Sequence, residues 1–129
     1  MTEPIPFTVD ISDAQIEDLK QRLNNTRFPE PETVEDWSQG VPLAYVQEIC
    51  NYWADEYDWA SRQAGLNRFP QFKTPLDDLN IHFIHARSPN ENALPLLMTH
   101  GWPGSVVEFM KVIEPLTNPP DGADAFHVI

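Results

Sequence analysis

A single cysteine, Cys50, occurs in the 129 residues, so no internal disulfide can staple this chain. Cys50 falls on the apolar face of a predicted helix, which reads as a buried thiol rather than a nucleophile, and a reducing compartment fits. Basic residues are also scarce. Eight Lys and Arg against twenty Asp and Glu leave a formal charge of −12, which repels phosphate backbones and anionic headgroups and so argues against nucleic acid and membrane surfaces as partners. Between Phe28 and Ser61 stand Glu30, Glu32, Glu35, Asp36, Glu48, Asp55, Glu56 and Asp58 with no Lys or Arg. The simplest reading of that run is a solvated face. No apolar stretch approaches the roughly 18 residues of a membrane span. The start, Met1 to Pro6, lacks the basic and apolar regions of a secretory leader. We therefore expect a soluble, cytoplasmic protein. Repeats, low-complexity tracts, zinc-type Cys/His clusters and phosphate-type glycine loops are all missing, so neither metal nor cofactor is expected.

What is present is apolar enough to build a core: 41% hydrophobic and 11% aromatic residues. The first half has helical character. Phe7 to Ile11 alternates like a short strand. Ser12 followed by Gln15 is a capping-box pattern ahead of a helix with Ile16, Leu19 and Leu23 on one stripe, ending near Asn25. Pro29 and Pro31 enforce an extended acidic connection through Trp37 to Gly40, and Pro42 suits the first turn of a second helix. There Leu43, Val46, Ile49, Cys50, Trp53, Ala54 and Tyr57 recur at spacings of three and four. A shorter helix is expected from about Trp59 to Leu66. The aromatic stripe Tyr45, Tyr52, Trp53, Tyr57 and Trp59 admits a ligand box, but without convergent polar groups a core or docking face is the better reading.

The second half turns to strands. Gln71 to Thr74, a turn over Pro75 to Asp78, and Leu79 to Ala86 read as a hairpin with Ile81 and Phe83 on one face and His82 and Ile84 on the other. Leu94 to Thr99 reads as a strand buried on both faces. A helix carrying Val106, Phe109, Met110 and Ile113 and ending near Pro115 follows, then the strand Ala125 to Ile129. Strand, helix, strand is a βαβ crossover and implies a parallel pair within an α/β fold. The domain boundary is expected near residues 68 to 72.

Between the apolar run and the helix lies His100-Gly101-Trp102-Pro103-Gly104-Ser105. In a parallel α/β sheet such a loop sits at the carboxyl ends of the strands, where ligands bind. Backbone N–H groups at Gly101 and Trp102, near a helix N-terminus, can converge on an anionic oxygen. We expect Gly101 to relieve a Cβ clash in the turn and Gly104 to let the helix start close to the sheet. Trp102-Pro103 is a candidate cis peptide, since cis costs an X–Pro bond only about 0.5–1 kcal/mol. His100 admits a general-base role, yet a hydrogen-bonded packing residue is favoured because no partner accompanies it. Ser105 lacks a nucleophile-elbow setting and reads as an N-cap. His82 and His85 fall on opposite strand faces, which argues against a shared metal, and His127 has no partner visible in sequence.

At this point the string Leu94 to Ser105, with Ile81 to Ser88, Leu66 to Phe72, Tyr52-Trp53 and Tyr57-Asp58-Trp59 before it, resembles the N-terminal part of microsomal-type epoxide hydrolases. The resemblance covers nearly the whole chain. It implies an epoxide hydrolase-like N-terminal domain over 1–70 and the beginning of an α/β-hydrolase catalytic domain over 71–129: a helical meander, then the first strands and first helix of an incomplete sheet. Asp58-Trp59-Ala60 has Ala where relatives usually place Arg, and Asp78 stands where a hairpin Gly is usual. The microsomal anchor segment is absent, which favours a soluble relative.

The mechanism implied by the resemblance has two steps. An Asp opens the epoxide to an alkyl-enzyme ester while two tyrosines protonate the departing oxygen, and a His paired with an acid then activates water to release a vicinal diol. Trp102 would supply the backbone oxyanion donor and a pocket wall, within an oxyanion loop formed with His100, Gly101 and Pro103. Nucleophile, acid and base match no residue here. The implied partners are a small epoxide, water, and the remainder of the catalytic domain in cis or as another chain, with self-association as a further expectation for the chain on its own. A non-catalytic docking module and another α/β-hydrolase chemistry, such as dehalogenation, remain the alternatives.

Overall fold

The computed structural model describes residues 3–120 and 122–129. The chain forms two compact units, Asp10–Arg62 and Met1–Val9 with Gln63–Ile129. The first strand belongs with Gln63–Ile129 and not with the helices that directly follow it.

In the unit Asp10–Arg62, α1 (Asp13–Asn24) starts at the expected capping box: the Gln15 N–H donates to Ser12 Oγ and the Ser12 N–H to Gln15 Oε1. Two otherwise orphaned donors of the first turn are thereby satisfied. Pro42 is the N-cap of α2 (Leu43–Asp55), and the Glu32 carboxylate accepts from the Leu43 N–H at 2.9 Å. That bond holds Glu32 below the usual carboxylate range. Ile49, Tyr52 and Trp53 of α2 face Ile16 and Leu19 of α1 across an apolar groove of about 490 Å³. Only Ala54 of α2 is fully buried, so the aromatic stripe makes an exposed face and not a sealed core. Asp58, accepting from the Ser61 N–H, precedes α3 (Trp59–Leu66), whose first four residues close this unit and whose bounds match the sequence expectation.

In the other unit, the expected strand Phe7 to Ile11 is displaced: β1 is Ile5–Phe7, antiparallel to β2 (Gln71–Leu76). Pro6 is tolerated because β1 is an edge strand. β2 and β3 (Leu79–Ile84) form the hairpin with a tighter turn than expected, Asp77 adopting φ 51°. Asp tolerates that left-handed backbone better than most residues. β3 ends before Ala86, which pairs instead with Val128.

β4 (Leu94–Leu96) runs parallel to β5 (Phe126–Val128), as the crossover requires. β4 is shorter than expected and not buried on both faces, with Leu94 56% and Leu97 72% exposed, since β5 is its one strand neighbour in this sheet. The helix expected over 106–115 is also broken, into a 3₁₀ turn (Val106–Phe109) and α4 (Ile113–Thr117). Pro115 has no N–H to continue a helix arriving from Val106, but it is acceptable in the first turn of one restarting at Ile113. Ile84, Ala86, Ile113 and Val128 form the core, with Leu96, Val106 and Phe109 packed on it. Among the described residues no helix is long and apolar enough to cross a membrane.

Candidate functional site

The HGWPGS loop leaves the carboxyl end of β4. Its centre is a turn closed by the Gly104 N–H donating to the Gly101 carbonyl oxygen at 2.7 Å, and the Trp102–Pro103 peptide inside it is cis. Ser105 caps the 3₁₀ turn, its hydroxyl accepting from the Val107 N–H at 3.3 Å, in line with the N-cap reading. That turn has four residues where a full helix was expected. A macrodipole therefore adds little, and the loop's electrostatics rest on individual N–H groups.

Those groups are open. Among the described residues, no hydrogen bond engages the N–H of Gly101 or Trp102. The Trp102 side chain stands 98% exposed and does not line the neighbouring cavity. His100 is exposed as well, with Nδ1 3.2 Å from the Gly101 carbonyl oxygen. Exposure sets His100 apart from the expected packing residue, while the expected hydrogen bond is made within its own loop.

The Cβ clash expected at Gly101 is found at Gly104 instead. A Cβ on Gly101 would meet nothing within 4 Å, so no clash forces glycine there. Gly104 is the crowded position. A Cβ there would overlap the Glu108 carboxylate and lie 3.0 Å from the Gly101 carbonyl oxygen. Glu108 was invisible to sequence reasoning; its four-residue spacing from Gly104 is the signal that points to it.

Beside the loop lies an apolar cavity of about 290 Å³ reaching from Ile81–Ile84 to Leu97–His100 and floored by Val106, Phe109 and Ile113. At its β3 edge a polar network was missed because its members are far apart in sequence. The Asn67 amide exchanges two bonds with the Val9 backbone, at 2.9 and 2.8 Å. Gln71 Nε2 donates to the Leu66 carbonyl oxygen and Asn67 Oδ1, leaving Gln71 Oε1 to accept from His82 Nε2 at 2.8 Å. Backbone anchors orient both amides, so the His82 proton sits on Nε2. Burial, helped by Lys73, lowers the His82 pKa. Burial also lowers that of His85, with Arg87 and His127 adding to it. His127 does have a partner, its Nδ1 accepting from the Ser88 N–H at 3.0 Å. Cys50 is half-buried. Among the described residues no group of three or more His, Cys, Asp or Glu could hold a metal ion.

Residues 4–109 match the family model described as epoxide hydrolase N terminus. A Stigmatella aurantiaca (strain DW4/3-1) protein whose name carries the words epoxide hydrolase is 58% identical over 128 residues, which is 96% of this chain and 29% of that protein. Epoxide hydrolase 1 of Oryctolagus cuniculus is 42% identical over 118 residues, covering 88% of this chain and 26% of the relative. Among solved structures, the juvenile hormone epoxide hydrolase of the silkworm Bombyx mori superposes with a TM-score of 0.87 at 34% identity, over 99% of this chain and 34% of that one. Aspergillus niger epoxide hydrolase gives 0.84 at 34% identity, over 98% and 34%. The chain thus spans less than a third of the curated relatives' length.

Proposed function

The chain belongs to the epoxide hydrolase N-terminus family, and on that premise we propose that it forms the N-terminal portion of a soluble enzyme that hydrates small epoxides to vicinal diols. Its part in the chemistry is the oxyanion loop. In the first half-reaction an Asp carboxylate attacks an epoxide carbon, the C–O bond breaks, and tyrosine hydroxyls protonate the departing oxygen. Water activated by a His then attacks the ester carbonyl carbon. Negative charge collects on the former carbonyl oxygen, and the Trp102 N–H receives it, with the Gly101 N–H beside it. His100, Gly101 and Pro103 shape the loop that presents that donor. Asp, tyrosines and His are contributed by the remainder of the catalytic domain, in cis or as another chain, so the 129 residues alone turn over no epoxide.

The observation that carries this reading is the open Trp102 N–H, held in a hydrogen-bonded turn at the carboxyl end of a parallel strand. The exposed apolar surface at Leu94 and Leu97 supports a larger sheet that covers it. The lone, half-buried Cys50 supports a cytoplasmic setting. Exchange of this chain for the matching segment of the Stigmatella relative tests the proposal. Diol formation from styrene oxide is expected from the chimera and none from the chain alone. A folded chimera that releases halide from a haloalkane and forms no diol would overturn the reaction class.

A further inference from the structure

A second cavity, of about 540 Å³, opens where β2 begins and β3 has ended. Phe69, Pro70 and Phe72 give it an apolar wall, while His85, Arg87 and Thr117 bring polar groups to it. Neither the HGWPGS loop nor Ile129 borders it.

Its charge runs against that of the chain. Two of the residues lining it can carry positive charge and none is Asp or Glu, although the sequence has twenty acidic residues to eight basic ones. Neither the Arg87 guanidinium nor the His85 ring nitrogens make a hydrogen bond or ion pair among the described residues. Five N–H donors of Arg87 are thus answered by no protein group. Burial, and after it the charges of Arg87 and His127, holds the His85 pKa below its ordinary value, so an anion placed here would relieve a repulsion already present.

The groups stand on fixed backbone. The His85 N–H donates to the Pro70 carbonyl oxygen at 2.9 Å, Ala86 and Val128 exchange two bonds at 2.9 Å, and the Ser88 N–H donates to His127 Nδ1 at 3.0 Å. Arg87 therefore sits between two anchored neighbours. The Phe72 ring stacks on Phe83 at 5.7 Å and meets the His85 ring edge-on at 6.3 Å. Arg68 lies over the Phe69 ring at 4.5 Å and donates to the Met110 carbonyl oxygen, which braces that wall.

These features select a class of occupant. A guanidinium fork matches a carboxylate through two parallel bonds, and the cavity volume is that of an ordinary small-molecule site. A chain of charge −12 repels multiply charged anions most, so a monoanion with an apolar body is the least disfavoured.

We propose that this cavity binds a small aromatic carboxylate: Arg87 takes the carboxylate through paired N–H bonds, the His85 ring donates one more, and the ring of the ligand lies against Phe69, Pro70 and Phe72. The proposal does not rest on the chemistry assigned to the HGWPGS loop.

The test is titration of the chimera carrying this chain with benzoate, followed by calorimetry and by the His85 ring resonances. Saturable binding is expected, with the His85 titration midpoint raised in the complex and affinity growing as pH falls through about 6.5. Acetate, which lacks the ring, and benzyl alcohol, which lacks the charge, should each bind weaker by roughly tenfold or more. Arg87→Gln should weaken benzoate by a similar factor, and Arg87→Lys, which keeps the charge and loses the fork, by less. No saturable benzoate binding by the folded chimera overturns the proposal. So does equal affinity for benzyl alcohol, undiminished binding in Arg87→Gln, an unmoved His85 midpoint, or competitive displacement by styrene oxide, which would put the benzoate at the loop.

Discussion

The Glu108 carboxylate occupies the space above Gly104 that the Cβ of any other residue would need. Gly104→Ala must evict that carboxylate and also press on the Gly101 carbonyl oxygen that accepts from the Gly104 N–H. A cost of about 1 kcal/mol in chemical denaturation is expected, at the low end for overpacking because the Glu108 side chain can swing away. In a Glu108→Ala background the cost should shrink and not vanish, the rest coming from the backbone contact. An undiminished cost would show that Glu108 is not what fills the space.

Gly101→Ala gives the contrasting result. Nothing lies within 4 Å of the added Cβ, so the change should fall within the roughly ±0.5 kcal/mol of a neutral surface substitution. A loss of the size found at Gly104 would contradict the geometry of the turn.

Gln71 is 5% exposed and joins Leu66, Asn67 and His82 by its amide. Gln71→Ala strands partly buried partners and is expected to cost about 2 kcal/mol. Asn67→Ala should free the Val9 segment as well, read as faster amide exchange at Val9. Protection at Val9 that survives Asn67→Ala would remove the network from the account.

The lowered pKa values of His82 and His85 set a pH dependence with a definite sign. Below the usual histidine range near 6.5 the unfolded chain takes up protons that the folded rings still resist, so stability falls as pH drops. It is fully present above that range and levels off once the folded rings are protonated too. Glu32, Asp36 and Asp58, lowered by hydrogen bonds to Leu43, Ser38 and Ser61 respectively, add a separate loss at more acidic pH. Denaturation midpoints across pH 5 to 8 should rise with pH, and His82→Gln should flatten part of that rise. A midpoint that falls over this range would reverse the sign and refute it.

Local signals in the sequence carried furthest. Ser12 and Gln15 announce α1, and the bounds of α3 emerge from its own period, because caps and stripes are decided within a few residues. The hairpin and the parallel pair were legible too. Elements that depend on distant partners were not. β1 lies where Gln71 to Lys73 can bond it, the break at Pro115 depends on where α4 restarts, and the burial of Leu94 to Thr99 depends on how many neighbours the strand has. In the loop, the Ser105 cap was readable from residue type. The crowding at Gly104 and the exposure of His100 and Trp102 depend on how the loop turns in space, which residue type alone does not set.

The measurement that bears most directly on the central claim separates the two half-reactions in the chimera carrying this chain. Trp102→Pro removes the N–H proposed to hold the oxyanion. Single-turnover kinetics with styrene oxide should then show ester formation persisting while its hydrolysis slows by about 10²–10³, so that the alkyl-enzyme accumulates. Diol release at the unmodified chimera's rate, with no accumulating ester, would contradict the assignment of Trp102 as the oxyanion donor.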